Sequence, residues 1–301
     1  MILSLPGRSL QEFTVSVPRQ EVESVVANLV RTLRIPPDSR GHLPFAQQLY
    51  DWLVRPLEPV LASSQVETLV FVPDSVLQNV PMAALHDGTQ YLIHRYGVAL
   101  TPSLQLLETR PIASTELSVI KAGLSEARAG FAPLPGVVEE LAQLEKLVPQ
   151  GGVLLNQQFT DAGLTQAIET VPAPIVHLAT HGQFSSQLEE TFILTWDGAI
   201  NVGELSQLLR AVSQDEHPVE MLVLSACQTA VGDRRAALGL AGMAVGAGAR
   251  STVASLWQVD IAVEGVTKAE ALRRAQEKLI NDPLYRRPYF WSAFVLVGNW
   301  L

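Results

Sequence analysis

The 301-residue sequence contains a single cysteine. It can form no internal disulfide and no cysteine-only metal site, and a lone thiol suits a reducing compartment. Charge is sparse as well: charged residues make up 17% of the chain against 48% hydrophobic ones, with no run of like charge. A disordered chain needs the opposite balance, so a folded core is expected. Acidic residues outnumber basic ones 30 to 21, a net charge of −9. Such a surface repels phosphate backbones and anionic lipid, so neither nucleic acid nor membrane is an expected partner. Long apolar runs are missing. The longest stretch of small apolar residues, Leu238 to Ala249, is too short and too glycine-rich to cross a bilayer. The opening Met1-Ile2-Leu3-Ser4-Leu5-Pro6-Gly7 lacks the basic start and apolar core of a signal peptide. A cytoplasmic protein is the expectation. No internal repeat and no low-complexity tract is visible.

What is present is the alternation of an α/β protein. Val22, Val25, Val26, Leu29, Val30 and Leu33 recur at helical spacing over residues 20–34, and Pro36-Pro37 stops that helix. A second apolar stripe runs from about Pro44 to Leu61. From residue 67 short apolar strands alternate with helical stretches. Strands are predicted at Thr68–Val72, Tyr91–Leu100, Leu117–Ala122, Val153–Leu155, Ile175–Thr180, Met221–Ser225, Thr252–Leu256 and Phe294–Val297. Helices are predicted at Val137–Val148, Ala162–Glu169, Glu204–Val212, Leu238–Ala247 and Lys268–Ile280. Phe192–Trp196 and Ala199–Val202 flank Asp197-Gly198, a hairpin signal. Fully apolar strands separated by helices imply a mainly parallel sheet covered on both faces. The division expected is an N-terminal helical lead-in, 1–66, packed on a core domain, 67–301.

Two strands end in residues with chemistry. Pro174-Ile175-Val176-His177-Leu178-Ala179-Thr180-His181-Gly182 brings a histidine to a strand end. Met221-Leu222-Val223-Leu224-Ser225-Ala226-Cys227 does the same for the only thiol. Active sites of parallel α/β sheets form at the carboxyl ends of strands. A thiol at its ordinary pKa is mostly protonated at neutral pH, and an adjacent imidazole can take that proton and return it to a leaving amine. Gly182 leaves room for a substrate backbone, and the N–H groups of Gly182 and Cys227 are candidates for an oxyanion hole. Either residue alone would pass for a small buried side chain or a hydrogen-bonded histidine; the pair at matching strand ends points to nucleophilic catalysis.

Other patterns carry less. His177 and His181 have a four-residue spacing that converges on one metal only on a helix; on a strand it spans roughly 13 Å. His177 is read as structural, and no metal or cofactor is expected. His42, His86, His94 and His217 sit near turns or exposed segments. Gly239, Gly242, Gly246 and Gly248 lack the Gly-Lys-Ser/Thr of a phosphate loop, and Gly123-Leu124-Ser125-Glu126-Ala127 lacks the final glycine of a hydrolase elbow.

Several ordered blocks resemble the CHAT domain, a caspase-like family related to separase and often joined to tetratricopeptide repeats. They are Phe71-Val72-Pro73-Asp74, Asn79-Val80-Pro81-Met82-Ala83-Ala84-Leu85-His86-Asp87, Phe131-Ala132-Pro133-Leu134-Pro135-Gly136, Val176-His177-Leu178-Ala179-Thr180-His181-Gly182, Leu224-Ser225-Ala226-Cys227-Gln228-Thr229, Ser255-Leu256-Trp257-Gln258-Val259-Asp260 and Pro288-Tyr289-Phe290-Trp291. The resemblance implies a caspase-hemoglobinase-like fold. It also implies a cysteine endopeptidase acting on protein or peptide substrates through His181 and Cys227, with Gly182 helping to bind the oxyanion. A regulatory partner or a tetratricopeptide-repeat region is an implied companion, and such repeats are absent from this sequence. In separase-like relatives the block after the tryptophan supplies an acidic residue to a basic P1 side chain. By that resemblance Asp260 is a pocket candidate, with Trp257 as an apolar wall and Asp233 as a second acidic candidate, and cleavage after Arg or Lys is expected. After Asp260 the connection to Gly265 is shorter than in the family, which bears on the shape of the groove. The rival reading is a catalytically silent caspase-like scaffold or partner-binding module; a small-molecule hydrolase or acyltransferase using the same dyad is a third.

Overall fold

The computed structural model of the protein describes residues 1–34, 41–101, 118–183, 191–213, 219–225, 251–255 and 267–301. The chain starts with a two-stranded antiparallel ribbon, β1 (Ile2–Leu3) and β2 (Gln11–Glu12). Helix α1 (Arg19–Arg34) follows where the apolar stripe predicts it, burying Val25, Val26, Leu29 and Leu33. The second stripe is not one helix. It divides into α2 (Leu43–Leu53) and the short α3 (Glu58–Ala62), joined by a 3-10 turn at Arg55–Leu57. Pro56 is the reason: it has no N–H to donate and its ring crowds the carbonyl four residues back.

The centre is an eight-stranded sheet among the described residues, in the order β3 (Thr68–Phe71), β4 (Gly97–Leu100), β13 (Phe294–Gly298), β12 (Ser251–Ser255), β11 (Met221–Ser225), β7 (Ile175–Ala179), β5 (Val119–Gly123) and β6 (Val153–Leu155). Every neighbouring pair is parallel except β12 with β13. The sheet is thus two parallel halves running in opposite directions. The predicted strand over Tyr91–Leu100 is shorter than expected: Leu92–His94 forms a 3-10 turn, and the strand begins at Gly97. The Arg95 and Tyr96 N–H groups both donate to the Leu92 carbonyl, at 3.0 and 3.1 Å, which closes a turn there in place of extended strand.

Helices cover both faces. On one, α5 (Asp161–Thr170) and α6 (Val202–Ser213) bury Leu164, Ile168, Leu205 and Leu209 against Ile120, Ala122, Val176, Leu178, Leu222 and Leu224. On the other, α4 (Gly136–Leu147) lays Val137, Leu141 and Leu144 against Ala179. Close approach there explains Gly123 at the end of β5: a Cβ would stand 2.6 Å from Val137 Cγ1 and 3.1 Å from the Ala179 carbonyl oxygen. The β3–β4–β13 half shares a core with α1, α2, α7 (Lys268–Asn281) and α8 (Pro288–Trp291). The predicted α/β sheet with helices on both faces and an N-terminal helical segment is the fold observed.

Two histidines differ from expectation. His42 and His86 are buried, not exposed, because Tyr91 gathers them. His42 Nε2 lies 2.8 Å from the Tyr91 hydroxyl, and the His86 ring meets the Tyr91 ring edge-on at 4.9 Å. His217 and the predicted helix Leu238–Ala247 lie outside the described residues.

Candidate active site

Strand β7 alternates strictly. Val176 and Leu178 face α5 and α6, while Ile175, His177 and Ala179 face the α4 side. At its carboxyl end the chain is tied to its neighbours through the backbone. The Leu124 N–H donates to the Ala179 carbonyl at 3.0 Å, and the Thr180 N–H donates to the Ser225 carbonyl at 3.2 Å. Ala179 and Ser225 are register partners, so β7 and β11 finish side by side.

His181 is the second residue past that edge, and it is 8% exposed. Its Nε2 lies 2.7 Å from the Ala132 carbonyl oxygen. A carbonyl can only accept, so in the neutral ring Nε2 carries the proton and Nδ1 keeps the lone pair. The Phe131 ring packs on the imidazole at a centroid distance of 4.9 Å, and Phe131 itself meets Phe192 edge-on at 6.4 Å. On the other side the Leu194 N–H donates to the His181 carbonyl at 2.8 Å, and the buried Thr180 hydroxyl donates to the Leu194 carbonyl at 2.7 Å. Gly182 opens β8 (Gly182–Gln183), which pairs antiparallel with β9 (Phe192–Leu194); β9 in turn pairs with β10 (Ala199–Asn201) through the predicted hairpin at Asp197-Gly198.

Two loops therefore frame His181. One is the segment after β5, held by Ser125, whose N–H donates to Asn156 Oδ1 at 2.8 Å, and by the Leu134 N–H donating to the Ser125 carbonyl at 2.9 Å. The other is the β9–β10 hairpin. The loops touch through Arg128, whose guanidinium carbon stands 3.4 Å from the centre of the Trp196 ring.

Beneath the site, two buried ionisable groups point toward α4. His177 Nε2 lies 2.7 Å from Glu140 Oε1, and Lys121, the register partner of His177 on β5, donates from Nζ to Glu145 at 2.8 Å and to the Gln150 carbonyl at 3.1 Å. His177 and His181 thus have separate partners. No group of three His, Cys, Asp or Glu residues among the described ones could hold a metal ion.

Cys227, Asp233, Trp257 and Asp260 lie outside the described residues. The described chain reaches Ser225 on one side of Cys227 and Ser255 before Trp257. Sequence reasoning missed the Ala132 carbonyl, the Phe131 ring and the Glu140 partner of His177. A carbonyl belongs to every residue and leaves no signal; Phe131 and Ala132 stood out only as part of a family block.

A mostly parallel sheet with helices on both faces, carrying a histidine at the carboxyl end of a central strand, is the caspase-like architecture. The CHAT domain family matches residues 43–299, and the chain belongs to that family. No curated protein matches the chain. No described helix is long and apolar enough to cross a membrane.

Proposed function

We propose that the protein is a cysteine endopeptidase in which Cys227 is the nucleophile and His181 Nδ1 the base. The observation that carries this reading is the bond from His181 Nε2 to the Ala132 carbonyl at 2.7 Å, which commits the ring's other nitrogen to accepting a proton. Chain geometry supports the partner. Cys227 is two residues beyond Ser225, whose carbonyl accepts from Thr180, and two trans peptide units span at most about 7.6 Å.

In this mechanism Nδ1 takes the Sγ proton, and the thiolate attacks the scissile carbonyl. The developing oxyanion is met by the N–H groups of Gly182 and Cys227. The Leu194-to-His181 bond makes Gly182 and Ile193 a non-hydrogen-bonded pair, so the Gly182 N–H lies outside the β8–β9 ladder bonds. The imidazolium then protonates the leaving amine, and water hydrolyses the thioester. Asp260, with Trp257 beside it and Asp233 as the second candidate, would receive a basic P1 side chain, since a buried cation needs an opposite charge. The partners are protein or peptide substrates and a regulatory element, in the cytoplasm.

A peptide-library cleavage profile of the wild type, Cys227→Ala and His181→Ala tests the reading. Cys227→Ala is expected to abolish cleavage, and His181→Ala to reduce turnover by roughly 10²–10⁴, the worth of a positioned general base. Full turnover in Cys227→Ala would sink the assignment. A wild type that cleaves nothing and whose Cys227 is not alkylated by iodoacetamide would favour the silent caspase-like module.

A further inference from the structure

We propose that Arg128, stacked on Trp196, binds an acidic side chain of the peptide substrate; this rests on the endopeptidase reading and adds an acid-selective subsite to it. The guanidinium carbon stands over the indole at 3.4 Å from the ring centre, a cation–π contact that holds the cation at this spot. Its Nε is buried and has no hydrogen-bond partner. No hydrogen bond or ion pair joins the guanidinium to any described residue, although acidic residues outnumber basic ones 30 to 21 in the chain.

The two nearest carboxylates in sequence are turned elsewhere. Glu126 Oε1 accepts from Asn156 Nδ2 at 3.3 Å. Asp197, directly after Trp196, accepts from the Asp161 N–H and from the Thr195 hydroxyl, both at 3.2 Å. A planar fork held over an aromatic ring, partly exposed and without a carboxylate among the described residues, is positioned to take one.

The position ties it to the active site. The Arg128 carbonyl accepts from the Phe131 N–H at 2.8 Å, and Phe131 and Ala132 both touch the His181 ring. Trp196 is two residues past Leu194, which is bonded to the His181 carbonyl; two strand residues span roughly 7 Å. A peptide crossing His181 between these loops would pass the Arg128–Trp196 stack. This subsite is separate from the P1 pocket assigned to Asp260, so a basic P1 residue and an acidic residue elsewhere in the same peptide are compatible.

The test uses fluorogenic peptides built on the best sequence from the cleavage profile, with Glu or Gln placed at one position at a time on both sides of the scissile bond. The wild type is expected to prefer Glu over Gln at one position by roughly 10–100-fold in kcat/KM, the range of a charge-assisted hydrogen bond. That ratio should collapse to near one in Arg128→Gln and be partly restored in Arg128→Lys, which keeps the charge and loses the fork. No preference at any position in the wild type, or a preference that survives Arg128→Gln, overturns the proposal. Should Arg128→Gln fail to fold, Arg128→Lys decides: an undiminished Glu preference there also overturns it. A second arm separates this subsite from the peptidase reading. Acetylated Ala/Ser heptapeptides carrying Glu or Gln are titrated against Cys227→Ala by fluorescence anisotropy. Tighter binding of the Glu peptide, lost when Arg128→Gln is added, sustains the subsite even if the wild type cleaves nothing; equal binding overturns it.

Discussion

His177 Nε2 and Glu140 Oε1 meet at 2.7 Å between β7 and α4, with side-chain exposures of only 4% and 6%. The strand that carries His177 ends at Ala179, two residues before His181, and α4 begins four residues after Ala132, whose carbonyl holds the His181 ring. The pair therefore pins two segments that converge on the candidate base. His177→Ala would leave a carboxylate buried without its partner, at a cost of about 3–5 kcal/mol. Glu140→Gln keeps a hydrogen-bonding group and should cost less. Chemical denaturation reads the stability, and the rate at which iodoacetamide alkylates Cys227 reads the chemistry. His177→Ala is expected to lower stability more than reactivity, and His181→Ala the reverse. The opposite order would mean that the two histidines have been assigned the wrong way round.

Phe131→Ala removes the ring packed on His181 at 4.9 Å and leaves the Ala132 backbone in place. Because Phe131 is only partly buried, the melting temperature should move little. In the proposed mechanism proton transfer depends on the imidazole orientation, so peptide turnover should fall by about 10²-fold, the scale of a small misplacement of a catalytic group. Unchanged turnover would show that the Ala132 bond alone orients the ring.

His86 makes a pH-dependent contribution. Its Nδ1 accepts the Gly88 N–H at 3.0 Å, so protonation there would set two donors against each other. Burial pushes its pKa below the ordinary value; neighbouring Asp87 opposes the shift and His94 reinforces it. The unfolded imidazole takes a proton near pH 6.5, roughly its free value, and the folded one only at lower pH. The stability it contributes is therefore complete above that value and is lost as pH falls through the folded pKa. Melting curves between pH 7 and pH 5, roughly the window where histidine titrates, should show a drop that is shallower in His86→Asn. An identical slope in the variant would remove His86 as the cause.

Lys121 is fully buried in the central sheet, its ammonium bonded to Glu145 and to the Gln150 carbonyl. Lys121→Met keeps the stem and dispenses with a desolvated charge, so stability should be unchanged or raised by about 1–4 kcal/mol. Lys121→Ala should cost about 2–5 kcal/mol, because the volume is lost as well. Urea midpoints at constant slope distinguish the two. A large loss in Lys121→Met would show that the cation itself is required.

The alternation of apolar strands with helical stripes, the Asp197-Gly198 hairpin, the strand that leads into His181 and the strand Met221–Ser225 were all legible from the residues. Each is a short-range pattern: side chains two apart share a strand face and those three or four apart share a helix face, so neighbours in sequence suffice to encode it. The family blocks extended that reading to the caspase-like sheet. What the residues did not disclose depends on segments far apart in the chain. The reversal of direction between β12 and β13 and the burial of His42 and His86 around Tyr91 follow from how finished elements pack. At the site, the Ala132 carbonyl reaches His181 across 49 residues, and Glu140 reaches His177 across 37. A backbone carbonyl carries no side-chain signature, and a buried glutamate on an amphipathic helix reads as one more solvated charge. Only the closing of α4 and its preceding loop over the sheet determines which nitrogen of His181 holds the proton.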